Sequence, residues 1–255
     1  MGKLCQAIDV GTIDYADACA LQSSLASELA AGNRSDCILL LQHPHTYTLG
    51  KTAKYEHLLY SEEQLTHYGI VVYESNRGGG ITYHGPGQLV GYPILDLGSL
   101  CMDGSQTFTS DYISYIRKIE VMLINILRSY GLDSVQLPGL TGVWVESRIF
   151  SKRQGTSCNS AELPSKIGSI GVRVDKNGIS QHGFALNVDT QTRYFEGIVP
   201  CGLEGYGIVS MAEILADVPT IEDVQNTVIC EFGRIFDREM MLADRPLSNL
   251  YENGN

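Results

Sequence analysis

Basic residues are scarce in this 255-residue chain, with 18 Lys and Arg against 29 Asp and Glu, a net charge of −11. That balance argues against a protein whose main business is gripping a phosphate backbone. No apolar run approaches the ~18–20 residues of a membrane span, which excludes a helical membrane protein. The start, MGKLCQAIDVG, has neither the apolar stretch of a signal peptide nor the Arg and Ser richness of a transit peptide. Gln6 stands where a myristoylation pattern requires Ser or Thr. Cytoplasm is therefore the expected setting, with an organellar matrix left open. There is no CxxC pair, and the cysteines at 5, 19, 37, 101, 158, 201 and 230 are odd in number and scattered, as reduced thiols would be. Neither GxxxxGK[ST] nor a GxGxxG between a strand and a helix occurs, so the two common nucleotide loops are missing.

What is present is an ordinary globular composition, 44% hydrophobic and 18% charged. The patterning predicts a helix capped by Thr12 and running to about Ala31, with Tyr15, Cys19, Gln22, Leu25 and Leu29 on one face. It predicts a buried strand at CILLLQH (37–43), strands at 71–75 and 88–95, and a helix over 109–130 with Ile113, Ile116, Ile119, Leu123, Ile126, Leu127 and Tyr130 along a broad face. Further strands are expected at 142–147, 166–174 and 179–188, the last two joined by a hairpin at DKNG. The polar stretch 151–165 reads as an exposed loop. Thr220 with Asp223 forms a capping-box start for a helix to about Phe236, with Val224, Val228, Phe232 and Ile235 inward. Helices and hairpins are mixed rather than strictly alternating, so the expected class is α/β of the α+β type: a mixed sheet with flanking helices.

The segment richest in chemical information is RGGGITYHGPGQLVGYPI (77–94). Gly78, Gly79 and Gly80 lack a β-carbon, so the backbone there can lie against a ligand or take positive φ. Gly85-Pro86-Gly87-Gln88 suits a type II turn that fixes His84 relative to the following strand. Turn geometry alone is the alternative reading of these glycines.

Together with LLLQHPHTYTLGK (39–51), TGVWVE (141–146), KIGSIGVRV (166–174), QHGFALNV (181–188) and IVPCGL (198–203), this loop resembles the lipoyl(octanoyl) transferases of the lipoate pathway. The resemblance spans ordered blocks from about Leu39 to Leu203. It implies the fold of biotin and lipoate protein ligases, in a single catalytic domain over 1–255 with a core at about 36–240 and a surface insertion at 151–165. Phe184 stands where the family often carries another apolar residue.

By that resemblance Cys201 is the nucleophile and Lys166 its partner. Arg77, Gly78, Gly79, Gly80, Ile81, Thr82, Tyr83 and His84, with Ser169, Ile170, Gly171, Gly183, Phe184 and Ala185, are expected to bind the acyl substrate. Taken alone, Cys201 reads as a buried core thiol and Lys166 as a strand-edge charge; only their joint placement in two family blocks assigns them roles. A free thiol is only a few per cent thiolate near neutral pH, and an adjacent cation favours the thiolate. Strict alternation in KIGSIGVRV puts Lys166 on the face of Ile170, Val172 and Val174, unless the two glycines break the pleat. His84 either orients the acyl carbonyl or incoming lysine, or satisfies its turn. Backbone N–H groups near Gly202 or Gly171 are candidate oxyanion donors.

The implied activity moves an octanoyl group from octanoyl-acyl carrier protein, whose phosphopantetheine carries it, to a lysine of lipoyl domains. The implied acceptors are those of 2-oxoacid dehydrogenase complexes and the glycine cleavage H protein. No ATP, metal, nucleic acid or membrane is expected to take part, and the protein is expected to be a monomer. Because the carrier is acidic like this chain, Lys51, Lys54, Arg77, Lys152 or Arg153 are expected to ring the site. The competing readings are an ATP-dependent lipoate or biotin protein ligase, and a non-catalytic lipoylation scaffold. A metal site at His43 and His45 with His84 or His182 lacks a carboxylate or cysteine at recognisable spacing, and His43 reads instead as a polar cap on a strand end.

Overall fold

The computed structural model describes residues 2–98, 110–146, 163–200 and 205–243. Its first half contains β1 (Lys3–Thr12), α1 (Tyr15–Ala30), β2 (Asp36–Gln42), β3 (Thr46–Leu49), α2 (Glu62–His67), β4 (Val71–Glu74), β5 (Ile81–His84) and β6 (Gln88–Ile94). Then come α3 (Ser110–Ser129), β7 (Val135–Leu137), β8 (Leu140–Val145), β9 (Ser165–Val174) and β10 (Ser180–Asn187). Last are β11 (Gly207–Ile208), α4 (Met211–Ile214), α5 (Ile221–Phe236) and β12 (Arg238–Leu242).

Nine strands form a mixed sheet in the order β12-β1-β2-β6-β10-β9-β8-β7, with β11 pairing β9. The apolar run of β2 lies in mid-sheet, parallel to β1 and antiparallel to β6, where both faces are covered, as such a run requires. One face packs under α3 and α5, through Ile119, Leu123 and Ile126 from the first and Val224, Val228 and Phe232 from the second. The other face packs under α1, through Ala18, Leu21, Leu25 and Leu29. A separate three-stranded sheet, β4-β3-β5, has its own core around Tyr47, Ile81 and Tyr83.

Several local expectations meet corrections. Asp14, not Thr12, caps α1, because Thr12 is still in β1, paired with Gln42. Ile113 on α3 is exposed rather than inward. The DKNG hairpin forms, but only Gly178 is left-handed, and its N–H closes the turn onto Asp175 O at 3.0 Å. A type I turn followed by a left-handed glycine fits this geometry. Gly85-Pro86-Gly87-Gln88 closes as expected, with Gly87 at φ 79° and Gln88 N donating to Gly85 O at 3.1 Å. Thr220 and Asp223 make both bonds of the capping box. The segment 151–165 lies outside the described residues up to 162, and Ser165 already belongs to β9.

Candidate functional site

Strand β9 is paired on one edge with β10 along residues 168–174, but β8 covers its other edge only from Ser165 to Gly168. Beyond that point no described strand pairs with the β8-facing edge of β9. The glycine loop leading into β5 occupies the place, with Gly78 N donating to Val172 O at 3.0 Å. A cavity of about 330 Å³ lies at this uncovered edge, within the size range of small-molecule sites.

The loop's approach depends on bare backbone. A Cβ at Gly171 would stand 3.0 Å from Gly78 O, and one at Gly50 would stand 2.3 Å from Gly79 O. Arg77 locks the loop from below, donating from Nε and Nη2 to Thr48 Oγ1 at 3.2 and 2.8 Å, from Nη2 to Thr48 O at 2.7 Å, and from Nη1 to Gly78 O at 2.9 Å.

Of the residues expected to bind acyl substrate, the cavity is lined by Arg77, Gly78, Gly79, Gly80, Thr82 and His84 from the loop and β5. It is also lined by Ser169, Ile170 and Gly171 on β9 and by Gly183, Phe184 and Ala185 on β10. Ile81 and Tyr83 are placed elsewhere: β5 alternates, and these two side chains point into the core of the small sheet. Phe184, the unusual apolar residue, has its ring over Gly91 of β6, where a Cβ would meet it at 2.2 Å.

Lys166 lines the same cavity and is 5% exposed. The register between β8 and β9 shifts between Val143 and Trp144, so Val143 faces Gly168 while Trp144 faces Lys166. This extra residue is a β-bulge, and it breaks the predicted alternation. Ile167 turns into the core with Val172, and Lys166 faces the opposite way, toward Trp144, whose ring centroid lies 4.7 Å from Nζ. Cys201 lies outside the described residues. On its C-terminal side the chain returns directly to the lysine: Tyr206 packs edge-on against Trp144, Ile208 pairs with Lys166, and Val209 N donates to Lys166 O at 3.0 Å.

Residues that sequence reasoning did not assign to the acyl site complete the walls: Tyr15, Thr52, Tyr92, Tyr112, Ile116, Gly139, Leu140, Thr141, Val172 and His182. They come from α1, α3, β6, the β7–β8 hairpin, β9, β10 and the segment after β3; Tyr92, Thr141, Val172 and His182 lie inside the quoted blocks, and no local motif marks the others.

A group of imidazoles and phenols packs around Tyr15, which lies 5.4, 6.2 and 6.5 Å from the rings of His43, His84 and His182. Their protonation follows from their partners. Ile13 O can only accept, so His43 Nδ1 carries hydrogen at 2.7 Å and Nε2 accepts from Tyr92 OH at 2.8 Å. This is the strand-end polar cap that the sequence suggested. The Gln88 amide donates to Tyr83 O and Asn187 Oδ1, so its oxygen faces His84 Nδ1 at 2.8 Å, leaving His84 Nε2 with a lone pair. His182 Nε2 donates to Asn76 Oδ1 at 2.7 Å, and its buried Nδ1 has no hydrogen-bond partner among the described residues.

Burial, then the neighbouring His43 and Arg77, hold His84 well below the usual histidine range. Burial likewise takes His43 down to about 4, and burial with Arg77 and Arg173 takes His182 down to about 3. All three are neutral at pH 7. Among the described residues, no three His, Cys, Asp or Glu side chains converge as a metal-binding group. None of the described helices is long and apolar enough to cross a membrane. Cys5 and Cys37 are core thiols, the latter pushed up by burial to about 12, and are far from reactive.

Residues 14–233 match the family model of the lipoyl protein ligase A/B catalytic domain. The chain is 41% identical to an octanoyltransferase of Solibacter usitatus over 91% of its length and 93% of the relative's. It is also 41% identical to an octanoyltransferase of a Roseiflexus species over 90% of its length and 86% of that protein's. In fold it is similar to the bipartite lipoate protein ligase of Thermoplasma acidophilum, with a TM-score of 0.64 at 18% identity, covering 95% of this chain and 87% of that one.

Proposed function

The chain belongs to the lipoyl protein ligase A/B catalytic-domain family, and from that premise we propose that it is an octanoyltransferase of protein lipoylation. It takes the acyl group from octanoyl-acyl carrier protein and passes it to a lysine of lipoyl domains, including those of 2-oxoacid dehydrogenase complexes and the glycine cleavage H protein, without ATP or metal. The observation that carries this reading is the buried Lys166 on β9, lining a glycine-walled cavity, with its backbone carbonyl accepting from Val209 N of the chain that follows Cys201.

The chemistry is a two-stage transfer. Lys166 as ammonium favours the Cys201 thiolate, which attacks the donor thioester. The carbon–sulfur bond to phosphopantetheine breaks, and Lys166 gives its proton to the departing thiolate. An acyl-cysteine thioester and a neutral lysine result. The acceptor amine then attacks that thioester and gives a proton to Lys166, an amide forms, and the Cys201 thiolate leaves. Both side chains end as they began. Thioester-for-thioester exchange is near thermoneutral and thioester-to-amide conversion runs downhill, so no phosphate chemistry is needed. The apolar tail lies in the cavity, where each buried CH₂ contributes about 0.8 kcal/mol. The neutral His84 presents an acceptor lone pair to the same space.

The test is incubation of the pure protein with octanoyl-acyl carrier protein, then with apo-lipoyl domain, followed by mass spectrometry. The expected result is one octanoyl group on Cys201, then on the acceptor lysine, with no ATP added. Modification that requires ATP would replace this reading with a ligase. Undiminished transfer by Cys201→Ser would replace it with a scaffold.

A further inference from the structure

Glu120 lies midway along α3 with its side chain 0% exposed. Its Oε1 accepts the N–H of Gly142 at 2.9 Å, and its Oε2 accepts from Arg117 Nη1, whose side chain is 43% exposed. Gly142 is the residue against which Lys166 lies. A Cβ there would stand 3.1 Å from Lys166 Cε, 3.4 Å from Nζ and 2.6 Å from Gly168 O, and the backbone takes φ 122°. The carboxylate thus holds the N–H of the residue whose open Cα faces the end of the Lys166 side chain. A neutral glutamine would accept the same N–H without the desolvation that a buried carboxylate costs, so the charge itself demands a reason.

We propose that Glu120 is a positioning residue for Lys166: through Gly142 it holds the amine against Trp144, and its charge keeps that amine protonated until the leaving thiolate needs the proton. This rests on the role given to Lys166 above. Arg117, at the solvent side of the carboxylate, offsets part of the charge and tunes its reach. The other groups lining the lysine's cavity are Tyr112 on α3, Arg77 under the glycine loop and the neutral His84 and His182, with Tyr206 against Trp144. The helix α5, packed against α3, brings Glu231 and Arg234, which pair with each other at 2.6 Å.

The sign of the effect is opposite for the two partners. Removing the negative charge (Glu120→Gln) lowers the affinity of Lys166 for its proton, and removing the positive one (Arg117→Gln) raises it. The experiment measures transfer from octanoyl-acyl carrier protein against pH for the full chain and both variants, with thermal denaturation alongside. The expected result is an alkaline limb displaced downward by about one pH unit in Glu120→Gln, hence up to ~10-fold less activity above it, and displaced upward in Arg117→Gln. Limbs that stay at the wild-type pH, or that move in the same direction, overturn the proposal, even where Glu120→Gln lowers the melting temperature. Should Glu120→Gln fail to fold, the half-exposed Arg117→Gln decides alone, and an unmoved limb refutes the idea. Failure of the underlying reading shows separately, as wild-type transfer by Lys166→Met.

Discussion

Two buried cations line the same cavity, Arg77 at 6% exposure and Lys166 at 5%, and their surroundings could hardly differ more. Arg77 spends its donors on the oxygens of Thr48 and Gly78, tying the glycine loop to β3. Lys166 rests on an aromatic face and a glycine, with a carboxylate one peptide group behind it. A guanidinium with a rigid fork suits the first task, and a single ammonium on a flexible stem suits the second. One cation ties the loop wall to β3; the other lies against Trp144 and Gly142 inside the cavity.

The sharpest way to break that contrast is to remove each charge with the same side chain. Lys166→Met is expected to lose transfer by about 10³-fold, within the range of general acid–base contributions, with the melting temperature little changed. Arg77→Met strands Thr48 and Gly78 oxygens and is expected to cost about 3 kcal/mol of stability, on the scale of lost hydrogen bonds to a charged donor. Parallel rate and denaturation measurements check both. Equal losses of stability in the two variants would erase the distinction.

A second pair sharpens the lysine side. Gly139 and Gly142 both have positive φ, at 79° and 122°, but a Cβ at Gly139 meets nothing within 4 Å, whereas one at Gly142 strikes Gly168 O and Lys166. Gly139→Ala is expected to cost about 1–2 kcal/mol from backbone conformation alone. Gly142→Ala is expected to cost at least that much and, in addition, to lower kcat more than ten-fold by displacing the amine, where about 1.4 kcal/mol of barrier is a factor of ten. An unchanged kcat in Gly142→Ala would show that the lysine tolerates displacement.

How these features stood in the sequence is uneven, for physical reasons. The long helices α3 and α5 were legible because their apolar stripes run along one face for several turns, and β2 because its run is uninterrupted. The glycine loop and the lysine block were recognisable as family segments. What stayed hidden depends on partners distant in the chain. The first strand needs β12, more than 200 residues later, for its outer pairing, and in the small sheet only β4 was expected, at 71–75, because β3 and β5 are four residues each and dominated by Thr, Tyr and His. The direction of Lys166 is set by a bulge that only the register with β8 creates. Glu120 reads locally as one more charge on an amphipathic helix, and only the fold brings Gly142 to it.

The histidines around Tyr15 extend the comparison to pH. His43 and His182 are held at about 4 and about 3 in the folded protein, and His84 is also depressed, against about 6.5 in an unfolded chain. The unfolded state therefore binds more protons as pH falls below about 6.5, and stability declines from there toward pH 4. Each histidine contributes a slope of up to about 1.4 kcal/mol per pH unit. Denaturant titrations between pH 7 and 4 check this, and His43→Gln is expected to flatten the curve by one histidine's share. A stability that is level across that range would mean these imidazoles accept protons in place.

The smallest expected effect concerns the outer rim of the loop wall. Lys51 N donates to Arg77 O at 3.0 Å and Thr52 N to Gly79 O at 3.1 Å, so this segment clamps the glycine loop, with Thr52 lining the cavity and the side chains of Lys51 and Lys54 exposed. Lys54 pairs with Glu56 at 3.1 Å, and no ion pair involves Lys51 among the described residues. Against an acidic donor protein Lys51 therefore presents the less compensated field. Lys51→Glu is expected to raise KM for octanoyl-acyl carrier protein several-fold at low salt and Lys54→Glu by less, both with unchanged kcat. The difference should vanish toward 1 M salt, where the screening length contracts from about 10 Å at 0.1 M to about 3 Å. A salt-independent effect, or a larger one at Lys54 than at Lys51, would move the donor's docking face away from the loop wall altogether.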